Sequence, residues 1–181
     1  MSNDVFYYDF KELEEVDEEG LKRFISTCGK KRLQSITVLD LAYFDGLSTN
    51  GVYMFFDSND NVIYVGKCTG RCFVERIPSH FDIRCEHNMF GTLMNKYVAV
   101  NGVSVQCALK SAREFSLTVL CCDINLNIKE IERYMQHVLR PALNSIKSKS
   151  PFKHYTTLGA VANVPKSEEG AINKPSAKKS K

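Results

Sequence analysis

The stretch Gly51-Val52-Tyr53-Met54-Phe55-Phe56-Asp57-Ser58-Asn59-Asp60-Asn61-Val62-Ile63-Tyr64-Val65-Gly66 decides the fold. Two runs rich in β-branched and aromatic residues, 52–56 and 62–65, flank the turn formers 57–61, and this pattern reads as a β-hairpin. Gly66 ends the second strand. Downstream, Phe115 to Cys122 alternates and is β-rich, so it supplies a third strand. A helix is expected within Arg71 to Phe81, interrupted at Pro78, and another from about Met89 to Ala99. Residues 101–112 are ambiguous, with an added helix as one reading. Ile128 to Leu139 is the clearest helix of the chain, closed by Pro141.

Outside this block the signals weaken. Phe10, Leu13, Val16, Leu21, Phe24 and Ile25 recur at roughly helical spacing among many acids, although Gly20 weakens the pattern. The first 45 residues therefore read as a partly helical addition that packs on the main domain and carries no chemistry. Ser35 to Phe44 fits helix or strand. After Asn144 the chain turns to Ser, Lys, Pro and Gly, and disorder is expected from about residue 165.

A chain of 181 residues, 44% hydrophobic and 25% charged, has the size of one domain and ordinary globular composition. Collagen-like and wholly disordered classes are excluded. No apolar run approaches a membrane span, and the N-terminus opens into acids, so a soluble cytoplasmic protein without a membrane partner is expected. The seven cysteines lack scaffold spacing and read as reduced thiols, mostly core filler. Charge is unevenly spread: residues 1–45 carry 6 Lys and Arg against 10 Asp and Glu, whereas residues 145–181 carry 8 against 2. The basic end reads either as a solubilising tail or as a phosphate contact through Lys147, Lys149 and Lys153, with Phe152 and Tyr155 as apolar anchors.

The hairpin places Tyr53 and Tyr64 on neighbouring strands, where they can face one site. Lys67 follows directly. Arg76 and His80 lie four apart and share a face of an unbroken helix. Helix geometry also chooses between the two acids of the last helix. Ile128 precedes Glu132 by four, and Met135 and Leu139 follow by three and seven, so Glu132 lies on the apolar stripe. Glu130 neighbours Asn127, Arg133, Tyr134 and His137 and reads as solvated. A carboxylate on a buried face needs a cation or donors, either a bound Mg²⁺ or a salt bridge to a nearby arginine.

With these residues in place the chain resembles the GIY-YIG endonucleases. The two name-giving triplets correspond to Gly51-Val52-Tyr53 and Tyr64-Val65-Gly66, each with Val for Ile. Arg76 stands at the helical arginine, His80 at the following histidine or tyrosine position, Glu132 at the metal-binding glutamate, and Pro141-Ala142-Leu143-Asn144 at the closing Pro-x-x-Asn. The resemblance covers about residues 46–146. It implies an α/β (α+β) catalytic domain, a small three-stranded antiparallel sheet flanked by helices, that hydrolyses DNA phosphodiester bonds with one Mg²⁺, for which Mn²⁺ substitutes.

By the same resemblance Tyr53 is the general base, relaying its proton to His80, with Lys67, Arg76 or His80 favouring its ionised form. Tyr64 positions water or phosphate, and Arg76 holds the non-bridging oxygens. Glu132 carries the metal, Asn144 orients the site, and Lys67 lends charge. Arg71 is the runner-up phosphate ligand if Pro78 breaks the helix that Arg76 and His80 share, and a second one in any case. Restriction, repair and mobile-element roles all fit, and a homodimer is expected where the target is a palindromic duplex. Two other readings stay open: a zinc site from Cys68, Cys72, Cys85 and His87, and a nucleic-acid-binding module that keeps the fold without catalysis. Intact Tyr53, Tyr64, Arg76 and Glu132 argue against the latter.

Overall fold

The computed structural model describes residues 5–82, 92–144, 152 and 155–166. In chain order the elements are β1 (Tyr7–Asp9), α1 (Glu18–Thr27), β2 (Lys31–Arg32), α2 (Val38–Ala42), β3 (Gly51–Phe56), β4 (Val62–Cys68), α3 (Phe73–Ser79), α4 (Thr92–Asn101), α5 (Val105–Ala112), β5 (Ser116–Cys121), α6 (Ile128–Leu139) and α7 (Leu158–Ala162).

β3 is buried at every residue because helices cover both faces of the sheet. Its alternation sends Val52, Met54 and Phe56 into one core with residues of α1, α6 and α7. Tyr53 and Phe55 point into a second core, closed by residues of α2, α3, α4 and α5. The order is β1-β5-β3-β4, with β3 antiparallel to both neighbours. β4 is thus an edge strand, and Leu143 and Asn144, beyond the last long helix, bond to its free edge.

The sheet is a mixed, open one of five strands, two more than the three expected. β1 runs parallel to β5 at Val119–Cys121, and β2 pairs antiparallel at Ser116 and Leu117, so the two share one edge of β5 end to end. Both come from the first 45 residues. There the single helical run of the sequence is broken into a 3₁₀ turn at Phe10–Leu13 and α1, because the Asp17 carboxylate accepts the Gly20 N–H at 2.7 Å and restarts the helix. Ser35 to Phe44 resolves as helix through the reciprocal capping of Thr37 and Asp40.

Pro78 sits in the last turn of α3 and leaves it intact to Ser79, with the His80 N–H donating to the Ile77 carbonyl at 3.2 Å. Arg140 ends α6 in the left-handed conformation, and Pro141 turns the chain toward β4. Phe152 docks on Tyr134 of α6, with ring centroids 5.5 Å apart. Lys147, Lys149, Lys153 and residues 167–181 lie outside the described residues. The six described cysteines are free thiols, four of them buried. No helix among the described residues is long and apolar enough to cross a membrane.

Candidate active site

Gly51 and Gly66 make room around Tyr53, the first where β3 approaches β5 and the second beneath the tyrosine ring. Gly51 has φ +149°, which side-chain-bearing residues rarely adopt, and a Cβ there would strike the Leu120 carbonyl oxygen. Gly66 lies opposite Tyr53 in the β3–β4 register. A Cβ at Gly66 would fall within the end of the Tyr53 ring. The glycine is therefore a seat for the tyrosine.

On that seat the Tyr53 hydroxyl lies 2.6 Å from His80 Nε2, joining β3 to the end of α3. Tyr64 completes the cluster, its ring centroid 6.3 Å from that of Tyr53 and 5.2 Å from that of His80. Burial drives the His80 imidazole down to a pKa of about 3, helped by Arg76 and Lys96, so it is neutral at pH 7. Burial likewise raises Tyr53 well above an ordinary phenol, the nearby Tyr64 adds to this, and Arg76 pulls the other way. Tyr53 is thus a protonated phenol in the free protein. The expectation that neighbouring charge leaves it ionised does not hold here, because desolvation outweighs Arg76, and Lys67 is spent on another partner. Among the described residues nothing bonds His80 Nδ1.

Arg76 connects this buried cluster to an open cavity of about 330 Å³ lined by Lys67, Cys68, Thr69, Gly70, Arg71, Arg76 and Glu132. Neither tyrosine lines it, since Tyr53 is 0% and Tyr64 6% exposed. Arg76 acts on both phenols from the cavity wall. The Lys67 ammonium forms an ion pair with the Glu132 carboxylate across the edge of the sheet. Their side chains are 32% and 12% exposed. The anticipated salt bridge thus comes from a lysine of β4 in place of an arginine. Glu130, expected to be solvated, is half-buried and paired with Arg133 at 2.6 Å. It faces a different cavity, lined also by Lys129 and Lys166.

Val65 of β4 gathers several of the bonds that hold α6 and the residues after it against the sheet. Asn144 accepts the Val65 N–H at 2.8 Å and donates to its carbonyl at 2.9 Å, so its amide serves as a neighbouring strand would. Gln136 donates to the same carbonyl at 3.1 Å, and the Leu143 N–H donates to the Ile63 carbonyl at 2.9 Å. Gln136 lies one helical turn beyond Glu132, so this bond also sets the rotation that aims the carboxylate. The sequence reading missed Gln136, whose only signal was its i+4 spacing from Glu132. It also missed Lys96 of α4, whose ammonium lies 5.3 Å from the Tyr64 ring centroid and is pushed toward the neutral form by burial. No sequence signal marks that lysine.

Tyr53, Tyr64, Lys67, Arg76, His80, Glu132 and Asn144 therefore converge from β3, β4, α3, α6 and the residues just beyond the two helices, with Arg71 on the cavity wall. Cys85 and His87, half of the alternative zinc set, lie outside the described residues. Glu132 provides one hard oxygen donor facing solvent and cations. That suits a divalent ion such as Mg²⁺, which keeps most of its waters and takes phosphate oxygens for the remainder. Among the described residues no three His, Cys, Asp or Glu side chains cluster to form an all-protein cage. No protein-family model matches the chain, and no curated protein or solved structure matches it either.

Proposed function

We propose that the protein is a metal-dependent DNA endonuclease of GIY-YIG type, its catalytic domain using the three antiparallel strands β4, β3 and β5. The observation that carries this reading is the position of Arg76, which lines an open, cation-rich cavity while acting on the two buried phenols behind it. A structural arginine has no use for both environments. A guanidinium that grips a phosphate at the cavity wall presents that phosphate to Tyr53 and Tyr64.

In this account Arg71 and Arg76 bind the non-bridging oxygens of the scissile phosphate, and the shift of Arg76 toward its anion uncovers the tyrosines. The Tyr53 oxygen takes the proton of the attacking water as its own O–H passes to neutral His80 at Nε2. This concerted transfer avoids forming an isolated phenolate in a buried site. Tyr64, held under Lys96, orients the water. The phosphorus–O3′ bond breaks as the new P–O bond forms, and Arg76 stabilises the charge that develops between them. Glu132 would hold the divalent ion, which when bound supplies Lewis acidity to the phosphate and the leaving oxygen. Asn144 and Gln136 keep Tyr64 and Glu132 in register through Val65.

A second reading, a binding module without catalysis, draws on the Lys67–Glu132 pair, since a carboxylate already neutralised by lysine has no need of a metal. One experiment separates the two. Purified protein is incubated with Mg²⁺ and duplex, nicked, branched and single-stranded DNAs, and the ends are sequenced. The nuclease reading expects defined 3′-hydroxyl and 5′-phosphate ends from at least one substrate. Binding to all substrates without new ends would leave only the module.

A further inference from the structure

The Lys67–Glu132 pair is a cation site already filled by the protein itself. Glu132 is nearly buried, at 12% exposure of its side chain, and a carboxylate in that position needs a positive partner within contact. Lys67 supplies it from β4, two residues beyond Val65, the residue that Asn144 and Gln136 lock against α6. The backbone is therefore fixed on both sides of the pair, and the lysine side chain is the part free to move. It is also the more exposed partner, and the cavity beside it holds Arg71 and Arg76.

We infer that Lys67 is a placeholder counter-ion: a divalent cation takes its place on Glu132, and the displaced ammonium swings into the cavity to meet substrate phosphate beside Arg71 and Arg76. The inference rests on the nuclease reading above and adds its regulation. Without substrate, a divalent ion on Glu132 would share the cavity with three cationic side chains, which is electrostatically unfavourable. With a phosphodiester present the same charges are balanced. Cation and DNA therefore bind with positive coupling, and each raises the affinity of the protein for the other. The exchange breaks no covalent bond and leaves Glu132 paired at every stage.

The test uses the full-length protein and Mn²⁺ alone as probe, with titration calorimetry for affinity and thermal denaturation for stability. Lys67→Met removes the placeholder, so it should bind Mn²⁺ roughly tenfold or more tightly than wild type, while Glu132→Gln should lose binding. In EDTA, Lys67→Met should melt below wild type because Glu132 has lost its partner. Excess Mg²⁺ should restore it by roughly 3 °C or more, and should leave the Lys67→Met/Glu132→Gln double variant unmoved. The double variant carries no unpaired acid, so it keeps the test readable if the single variant folds poorly. Equal Mn²⁺ affinity in wild type and Lys67→Met overturns the placeholder role and leaves the nuclease reading standing. Absence of Mn²⁺ binding in both, whether duplex DNA is absent or present, overturns the placeholder role and removes Glu132 as a metal ligand as well.

Discussion

The Tyr53 hydroxyl lies 2.6 Å from His80 Nε2, and this buried hydrogen bond ties the central strand of the sheet to the end of α3. It brings together two residues 27 positions apart, neither of which has measurable contact with solvent beyond 1%. The Pro78 between Arg76 and His80 does not prevent it, because α3 runs to Ser79.

Acid should undo this bond first. His80 titrates at about 3 in the folded protein against 6.5 for an ordinary histidine, so between those values the unfolded chain binds the extra proton. Stability therefore falls as pH drops below about 6.5, by up to about 1.4 kcal/mol per pH unit, and the loss from this group is complete below about 3. Urea denaturation at pH 7, 5.5 and 4.5 should show a shallower decline for His80→Gln than for wild type. Parallel curves would mean that His80 is solvated.

Gly66→Ala places a methyl group where the Tyr53 ring sits. The strand can accommodate alanine by its own dihedrals, so the damage is local and steric, about 1–3 kcal/mol by denaturation. Displacement of Tyr53 from His80 should then cost DNA cleavage far more than the stability loss explains. Gly51→Ala should be the more destabilising of the two, since it combines a carbonyl clash with an unfavourable φ.

The parts of this structure that could be read from sequence are those stabilised locally. β3, β4 and β5 are β-rich runs bounded by turn formers, and α6 spans Ile128–Leu139 as its apolar period requires. β1 and β2 could not be read, because three and two residues carry no periodicity and pair only where β5 offers an edge. The same division holds in the site. Glu132 stands out by its place on the apolar stripe, and Tyr53, Tyr64 and Arg76 only through the resemblance to a family pattern. The seal over the tyrosines, the Lys67 contact with Glu132 and the approach of Lys96 to Tyr64 are products of tertiary packing.

Asn144 and Gln136 both hold Val65, but unequally. Asn144→Ala leaves a backbone N–H without its acceptor and should cost about 1–3 kcal/mol. Gln136→Ala leaves the carbonyl still bonded to Asn144 and should cost less than about 1 kcal/mol. If Gln136 aims Glu132, its loss should nonetheless raise the Mg²⁺ concentration needed for half-maximal cleavage. Unchanged Mg²⁺ dependence in Gln136→Ala would reduce the glutamine to a structural bond.

Arg76→Lys keeps the charge and loses the fork that reaches phosphate and phenols together. Single-turnover cleavage should fall by about 10²-fold or more, with DNA affinity in Ca²⁺ changed much less. Lys96→Met, which keeps the apolar stem over Tyr64, should reduce the rate by a smaller factor. A gel shift that disappears in Arg76→Lys while the bound fraction cuts at the wild-type rate would make Arg76 a binding residue alone.

The central claim is that Glu132, held between the edge of β4 and the cavity, makes this protein a metal-dependent nuclease. It is tested most directly by single-turnover DNA cleavage in Mg²⁺, with and without EDTA, for wild type, Glu132→Gln and Glu130→Gln. The account predicts that wild type and Glu130→Gln cut in Mg²⁺, that EDTA stops both, and that Glu132→Gln is inactive while still folded by circular dichroism. Cleavage by Glu132→Gln at the wild-type rate, or by the wild type in EDTA, would contradict it.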